Sequence, residues 1–117
     1  MSRSTAAYLA DIVDACDAVG EALIGVDLEA YRARRLIRSA VEREFTIIGE
    51  AISALTRRDP ALAARISHAR LIVGFRNRLV HEYPQIDDEA VYSIAVRDAP
   101  VLRAECAVLH DEVGDAD

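Results

Sequence analysis

The chain has 117 residues and a formal net charge of −6, with 52% apolar residues, 5% aromatic residues and 21 alanines. This length suffices for one hydrophobic core but not two, so we expect a single domain over residues 1–117. Many alanines with few glycines and prolines favour packed helices over a sheet. Cys16 and Cys106 are too few for a disulfide framework, and no apolar stretch approaches the roughly 20 residues of a membrane helix. Residues 1–5 lack the apolar core of a signal peptide, so we expect a soluble, cytoplasmic protein with no membrane contact.

The charge is unevenly distributed along the chain. Residues 1–30 carry one arginine and six acids, residues 31–81 carry eleven arginines and four acids, and residues 82–117 carry two arginines and ten acids. The net charge of the whole chain argues against nucleic acid, but a basic segment creates a local field that attracts phosphate. A phosphate-bearing ligand therefore remains compatible with the acidic total.

Residues 4–23 have the pattern of an amphipathic helix, with Ser4 as a candidate N-cap and an expected end near Leu23. Its apolar stripe consists of Tyr8, Ile12, Val13, Cys16, Val19 and Leu23. The opposite side carries the acidic residues Asp11, Asp14, Asp17 and Glu21. Such a row could hold a metal ion, but a solvated helix face is the simpler interpretation.

Gly25 and Asp27 interrupt the first helix and start a second, which we expect to be long and to end near Arg57. Its apolar positions are Ile37, Val41, Phe45, Ile48, Ile52 and Leu55. From Val41 the steps alternate between four and three residues, which is the spacing of a bundle or coiled-coil seam. Gly49 costs about 1 kcal/mol relative to alanine in a helix, which indicates that another backbone approaches closely there.

Asp59 and Pro60 form an N-cap followed by a proline at the first helical position, which predicts a third helix. Ser67 could cap a continuation of this helix, and Pro84 prevents it from extending far past Tyr83. The apolar face of the third helix consists of Leu71, Ile72, Phe75 and Leu79.

A fourth helix is predicted to begin at a cap provided by Asp87 or Asp88. Its apolar face consists of Val91, Ile94, Ala95, Leu102, Cys106 and Leu109. Pro100 falls inside this pattern, so we expect a kink near residues 96–100 rather than two separate helices. The acidic tail from Asp111 is expected to fray. Four helical segments make the predicted fold class all-α.

The segment richest in reactive side chains is the run Arg76-Asn77-Arg78-Leu79-Val80-His81-Glu82-Tyr83, which we call the motif. Arginine presents a planar, charged fork that matches phosphate oxygens, and histidine transfers protons near neutral pH. At about 100° per residue, Asn77 and His81 share one helix face, while Arg76 and Tyr83 share another. The motif therefore predicts a phosphate-handling site on the last turns of the third helix. Cations that offset the negative end of a helix are the alternative interpretation.

Other candidate sites are weaker. Cys106 and His110 stand four residues apart, which can place two metal ligands on one helix face, but no second pair accompanies them. His68 is interpreted as a surface or capping residue. The sequence has no glycine-rich phosphate loop, serine elbow or paired catalytic carboxylates. We therefore expect neither a metal nor a cofactor.

The motif fits the pattern of an arginine, four residues, a histidine, any residue and a tyrosine. This pattern marks the HepT-like toxins of the HEPN superfamily, and the chain resembles that family. Residues 40–51 are similar to the second-helix signature of that family, and residues 72–81 are similar to its third. Asp98-Ala99-Pro100-Val101-Leu102 is similar to its fourth-helix Asp-Leu-Pro segment. Residues 66–70 depart from the family, because they replace a stretch that commonly contains tryptophan.

The resemblance implies an all-α, four-helix up-down bundle that forms a homodimer and cleaves RNA as a metal-independent endoribonuclease toxin. It also implies a small nucleotidyltransferase antitoxin that transfers AMP to Tyr83. Arg76 and His81 would be catalytic, with Asn77 and Arg78 supporting substrate binding. Metal-free cleavage through the 2′-hydroxyl needs a proton acceptor, a proton donor and a cation near the phosphorane. Because one histidine cannot easily be both acid and base, a two-fold dimer would complete a composite site.

Two other functions remain open from the sequence. The bundle could be a non-catalytic adaptor that uses Arg76 and His81 to hold a nucleotide or phosphate for a partner nucleotidyltransferase. It could also be only an interaction module. An adaptor would bind nucleotide without cleaving RNA, whereas an interaction module would tolerate Arg76→Ala and His81→Ala. Tyr83, likewise, could simply pack at the end of its helix.

Overall fold

The computed structural model describes residues 3–67, 69, 72–75, 77 and 86–114, and no strand occurs in these ranges. The first four helices are α1 (Thr5–Ala22), α2 (Leu28–Ala33), α3 (Arg35–Arg58) and α4 (Pro60–Ala63). Ala69, residues 72–75 and Asn77 are also helical, and we label them α5. The chain continues with α6 (Asp88–Ser93), a π-helical turn (Ile94–Asp98) and α7 (Ala99–Val113). The all-α class is confirmed, and none of the helices in the described ranges is long and apolar enough to cross a membrane.

Helix α1 begins where the sequence predicts. The Ser4 hydroxyl accepts a hydrogen bond from the Ala7 N–H at 3.0 Å, which satisfies one of the unpaired donors at the helix start. The buried face of α1 consists of Thr5, Leu9, Ile12, Ala15, Cys16 and Val19. Tyr8, Val13 and Leu23 are only partly buried and pack against the edge of the core.

The predicted start of the second helix at Asp27 is confirmed, since Asp27 caps α2. Its predicted continuity to Arg57 is wrong, because Arg34 separates α2 from α3 with an extended backbone, φ −111° and ψ 95°. At 100° per residue, one continuous helix would direct Tyr31 about 80° away from Val41. The break turns Tyr31 into the core, where it is completely buried and its ring centroid lies 5.5 Å from that of Tyr92. The Tyr92 hydroxyl donates to the Val26 carbonyl at 2.8 Å, so α6 is tied to the segment before α2.

The apolar seam of α3 is confirmed, and this chain uses it for its own core. The seam residues with no exposed surface are Val41, Phe45, Ile48, Ile52 and Leu55. Helix α1 packs along α3 and also along α7. The Phe45 ring meets the Phe75 ring of α5 edge-on, with centroids 5.5 Å apart, so α3 supports α5 as well.

The third helix differs from the prediction near its start. Asp59 accepts a hydrogen bond from the Leu62 N–H at 3.1 Å and Pro60 is the first helical residue, as predicted. However, α4 ends at Ala63, and residues 64–67 form a turn. The backbone N–H and the hydroxyl of Ser67 donate to the Glu105 carboxylate, at 3.1 and 2.6 Å. The turn that precedes α5 is thereby held against α7.

The last helical segment is irregular at the place the sequence indicates. Asp87 provides the cap and accepts from two backbone N–H groups of α6, at 3.0 and 3.2 Å. The Ala99 N–H donates to the Ile94 carbonyl, which defines the π-helical turn directly before Pro100. A wider turn suits this position because proline cannot donate a backbone hydrogen bond. The predicted fraying from Asp111 is wrong for the described residues, since α7 continues to Val113 and ends at Gly114, with φ 59°.

We expect Phe45→Ala to lower the free energy of unfolding by about 3–5 kcal/mol, because the ring is fully buried and packs against the Phe75 ring of α5. Phe45→Leu keeps most of the volume and should cost less. Val108→Ala is the control, since this valine is 58% exposed, and should stay within about 0.5 kcal/mol of the parent. Urea denaturation followed by circular dichroism measures all three. Equal decreases in the free energy of unfolding for Phe45→Ala and Val108→Ala would contradict the proposed role of Phe45 in the core.

Candidate functional site

Asn77 is the only predicted site residue within the described part of the chain. Arg76, Arg78, His81 and Tyr83 lie outside the described residues, and so does His68. The structure therefore positions the start of the motif through Asn77 and its neighbours on α5. The roles of the other four site residues stay predictions from the sequence pattern.

Helix α5 has one apolar side and one exposed side. Ile72 and Phe75 are 1% and 4% exposed and face the core, as the sequence predicts. Asn77 follows Phe75 by two residues, which places it about 200° further round the helix, and it is exposed. The packing of Phe75 on Phe45 thus fixes the rotation of α5 and turns Asn77 outward.

A cleft of about 500 Å³ lies between α3 and α5. Helix α3 contributes Ile52, Ser53, Thr56 and Arg57, and α5 contributes Ala69, Val73, Gly74 and Asn77. The apolar lining comes from Ile52, Ala69 and Val73, whereas the exposed residues Arg57 and Asn77 bring charge and hydrogen-bonding groups. We call this feature the α3–α5 cleft. It adjoins the motif, because Asn77 belongs to both.

Arg57 is a candidate site residue that the sequence analysis missed. It is exposed, lines the α3–α5 cleft and makes no ion pair or hydrogen bond within the described ranges. Its neighbour Arg58 points elsewhere, since its Nε donates to the Thr5 hydroxyl at 2.9 Å. The sequence shows two adjacent arginines, Arg57 and Arg58, at the end of α3, but it does not show which of the two lines a cleft.

Ion pairs show where the basic charge of residues 31–81 is neutralised. Three of its arginines pair with the acidic C-terminal third, namely Arg32 with Glu89 at 3.2 Å, Arg38 with Asp88 at 3.8 Å and Arg65 with Glu112 at 2.8 Å. Such exposed pairs contribute little stability, about 0–1 kcal/mol each. Among the described residues, the arginines of α3 that remain without a charged partner include Arg35, Arg43 and Arg57. Among the described arginines of the basic segment, unpaired positive charge therefore lies mainly on α3.

Several side chains of the weaker metal candidates are buried or engaged in ion pairs. Cys106 is completely buried, and burial raises the pKa of its thiol to about 12. At neutral pH it is therefore a thiol, whereas a metal ligand must be a thiolate. On the acidic face of α1, Asp11 pairs with Arg3, and Asp17 accepts from Arg103 Nε at 2.9 Å. No group of three or more metal-binding side chains is found in the described ranges.

The structure is an all-α domain in which the motif adjoins an arginine-bearing cleft. The chain belongs to the family described as "Ribonuclease HepT-like", which matches residues 12–109. The matched range contains the motif and the described helices from most of α1 to most of α7. The resemblance drawn from residues 40–51, from the motif and from residues 98–102 is therefore confirmed.

Curated relatives match along nearly the whole chain. The chain is 29% identical over 107 residues to "Putative RNase MJ1380" of Methanocaldococcus jannaschii, covering 92% of this chain and 97% of that protein. It is 26% identical over 102 residues to "Putative RNase TTE0752" of Caldanaerobacter subterraneus subsp. tengcongensis, covering 84% and 87%. A second Methanocaldococcus jannaschii protein, "Putative RNase MJ0125", is 27% identical over 103 residues and is covered to 88%. No solved structure gives a significant match.

Proposed function

We propose that this chain is a metal-independent endoribonuclease and the toxin of a type II toxin–antitoxin pair. The observation that carries the proposal is the arginine–histidine–tyrosine pattern of the motif inside the range matched by a ribonuclease family. The names of the relatives also refer to RNase activity. The location of Asn77 in an arginine-bearing cleft supports an RNA ligand, because an amide and a guanidinium both bind phosphate and sugar oxygens.

The proposed reaction is an internal displacement at phosphorus. The 2′-oxygen loses its proton to one histidine and attacks the phosphate, while the 5′-oxygen leaves with a proton from another acid. The products are a 2′,3′-cyclic phosphate and a free 5′-hydroxyl. Arg76 stabilises the negative charge of the phosphorane, and His81 performs one of the two proton transfers. Asn77 and Arg78 hold the substrate.

The composite site requires two copies of the motif, so we propose a homodimer in which each protomer supplies one His81. The apolar seam that follows Val41 does not add to this argument, because its residues are buried within the chain itself. The shortage of acid–base groups in one chain is thus the remaining argument.

We expect purified protein to cleave single-stranded RNA in the presence of EDTA and to leave 2′,3′-cyclic phosphate ends. His81→Ala and Arg76→Ala should each abolish cleavage while the helical circular dichroism spectrum is retained. Asn77→Ala should slow cleavage less, because an amide neither carries charge nor transfers a proton. Arg97→Ala is the matched control, since Arg97 is exposed on the π-helical turn.

Mass spectrometry of the RNA fragments identifies the ends. Inhibition by EDTA, or 5′-phosphate ends, would contradict the mechanism. Nucleotide binding without RNA cleavage by the parent protein would favour the non-catalytic adaptor instead. Full retention of cleavage by His81→Ala would remove His81 from the reaction.

We expect a dimer at micromolar concentration, measured by multi-angle light scattering. A subunit-mixing experiment tests the composite site more directly. If the two histidines of one site come from different protomers, mixing His81→Ala with the parent should reduce activity further than dilution of the parent does. A fully active monomer would exclude the composite site.

We further propose that a nucleotidyltransferase antitoxin transfers AMP to the Tyr83 hydroxyl. The tyrosine oxygen would attack the α-phosphate of ATP, with pyrophosphate as the leaving group. An added phosphate two residues beyond His81 would place negative charge beside Arg76 and obstruct the RNA phosphate. The modification would therefore switch the nuclease off by charge and by bulk.

We expect the intact mass of the chain to rise by one or more AMP groups after co-expression with such a partner, and Tyr83→Phe to prevent this increase. Tyr83→Phe should still cleave RNA but escape neutralisation. Tyr8→Phe is a suitable control, because this tyrosine lies on α1 against the core. Neutralisation of Tyr83→Phe as complete as that of the parent would mean that the partner inhibits by masking rather than by modification.

A further inference from the structure

The α3–α5 cleft combines an apolar lining with an accessible arginine, which is the combination that a nucleotide requires. We propose that the cleft binds one nucleotide of the RNA substrate beside the cleaved bond, with its base against Ala69 and Val73 and a phosphate on Arg57. This inference rests on the proposed ribonuclease function. It adds Arg57 and a defined subsite to residues that the motif already implies.

The size and lining of the cleft suit a single base. Its volume of about 500 Å³ lies within the roughly 300–1,000 Å³ of small-ligand sites. Ala69 and Val73 are partly exposed and present hydrocarbon surface, against which the flat face of a base loses contact with water. The described residues that line the cleft include no aromatic side chain, so their contact with a base would be apolar packing that tolerates different bases.

Arg57 supplies the charge complementary to RNA. Its guanidinium is exposed, has no acidic partner within the described ranges, and lies in the last turn of α3. A guanidinium presents parallel N–H groups that match two phosphate oxygens. Arg58 carries the same charge in the same turn but is engaged with Thr5, so it does not substitute for Arg57 at the cleft.

The polar groups of the cleft can hold the sugar and the edge of the base. Ser53 contributes a hydroxyl that can donate or accept, and Asn77 contributes amide donors and an acceptor. The Thr56 hydroxyl donates to the Ile52 carbonyl at 2.9 Å, which leaves its oxygen as an acceptor. Because Asn77 belongs to the motif as well as to the cleft, a nucleotide in the cleft would lie beside the motif.

Gly74 gives a way to close the cleft without disturbing the fold. A Cβ atom added at Gly74 would have no atom within 4 Å, although the residue lines the cleft. A leucine there would extend into the space that the base needs and would also favour the helix over glycine. Gly20 is the matched control, because it is likewise exposed, helical and free of neighbours within 4 Å, but it lies on α1.

The test measures RNA binding and cleavage separately, using the full chain. Binding of a fluorescein-labelled single-stranded RNA is followed by anisotropy in the His81→Ala background, and KM and kcat are measured with His81 present. Gly74→Leu and Arg57→Ala should each weaken binding by about tenfold and raise KM more than they lower kcat. Gly20→Leu and Arg97→Ala, the latter an exposed arginine on the π-helical turn, should stay within about twofold.

Salt dependence identifies the phosphate contact. The slope of log affinity against log salt concentration should decrease in magnitude by about one in Arg57→Ala and remain unchanged in Gly74→Leu. Arg57→Lys keeps the positive charge and should retain most of this slope, which shows that the change in Arg57→Ala comes from the lost charge and not from the shortened side chain.

These measurements distinguish failure of the cleft assignment from failure of the proposed ribonuclease function. If the parent cleaves RNA and both cleft variants behave like their controls, the cleft assignment is wrong while the ribonuclease function stands. If the parent binds RNA through the cleft but does not cleave it, the ribonuclease function is wrong and the cleft assignment stands. If Gly74→Leu changes the molar mass measured by light scattering, the cleft is a contact between copies of the chain and the proposal is overturned.

Discussion

Burial of the α3 seam is the constraint on which the other helices depend. Phe45 and four neighbouring seam residues are completely removed from water, and each such side chain contributes about 1.5–3 kcal/mol relative to exposure. The seam receives α1 along its length and α5 through the edge-on contact of Phe45 with Phe75. That contact fixes the rotation of α5, which in turn determines that Asn77 is exposed and lines the cleft. The position of the candidate site therefore follows from core packing.

Electrostatic pairing explains how an acidic chain can present a basic surface. The acidic C-terminal third folds back so that Asp88, Glu89 and Glu112 neutralise three arginines of the basic middle. Because these acids meet Arg38, Arg32 and Arg65, the paired charges do not contribute to a binding field. By contrast, Arg35, Arg43 and Arg57 of α3 are exposed, have no acidic partner in the described ranges and can attract phosphate over roughly a Debye length. A net charge of −6 is thus compatible with an RNA ligand.

The proposed chemistry and the proposed binding site make different demands on the chain. Proton transfer and charge stabilisation need a few residues at exact positions, and the motif supplies one set of them per protomer. Substrate binding needs area and charge, which the α3–α5 cleft offers from two helices. Asn77 connects the two because it is a motif residue and a cleft residue. A nucleotide held in the cleft would restrict the RNA backbone at the reacting phosphate, and this positioning lowers the entropy cost of the reaction.

The sequence by itself determined the features that depend on local patterns. Ser4, Asp59 and Asp87 cap helices as predicted, since a cap needs only a short polar side chain and the following backbone N–H groups. The apolar seam of α3 and the family membership could also be predicted, because hydrophobic periodicity and motif spacing are properties of the sequence. Only the tertiary structure decided that Arg34 breaks the second helix, since the break depends on Tyr31 reaching Tyr92, a residue 61 positions away. It likewise decided that Arg57 rather than Arg58 lines a cleft, because that choice depends on how α5 packs against α3.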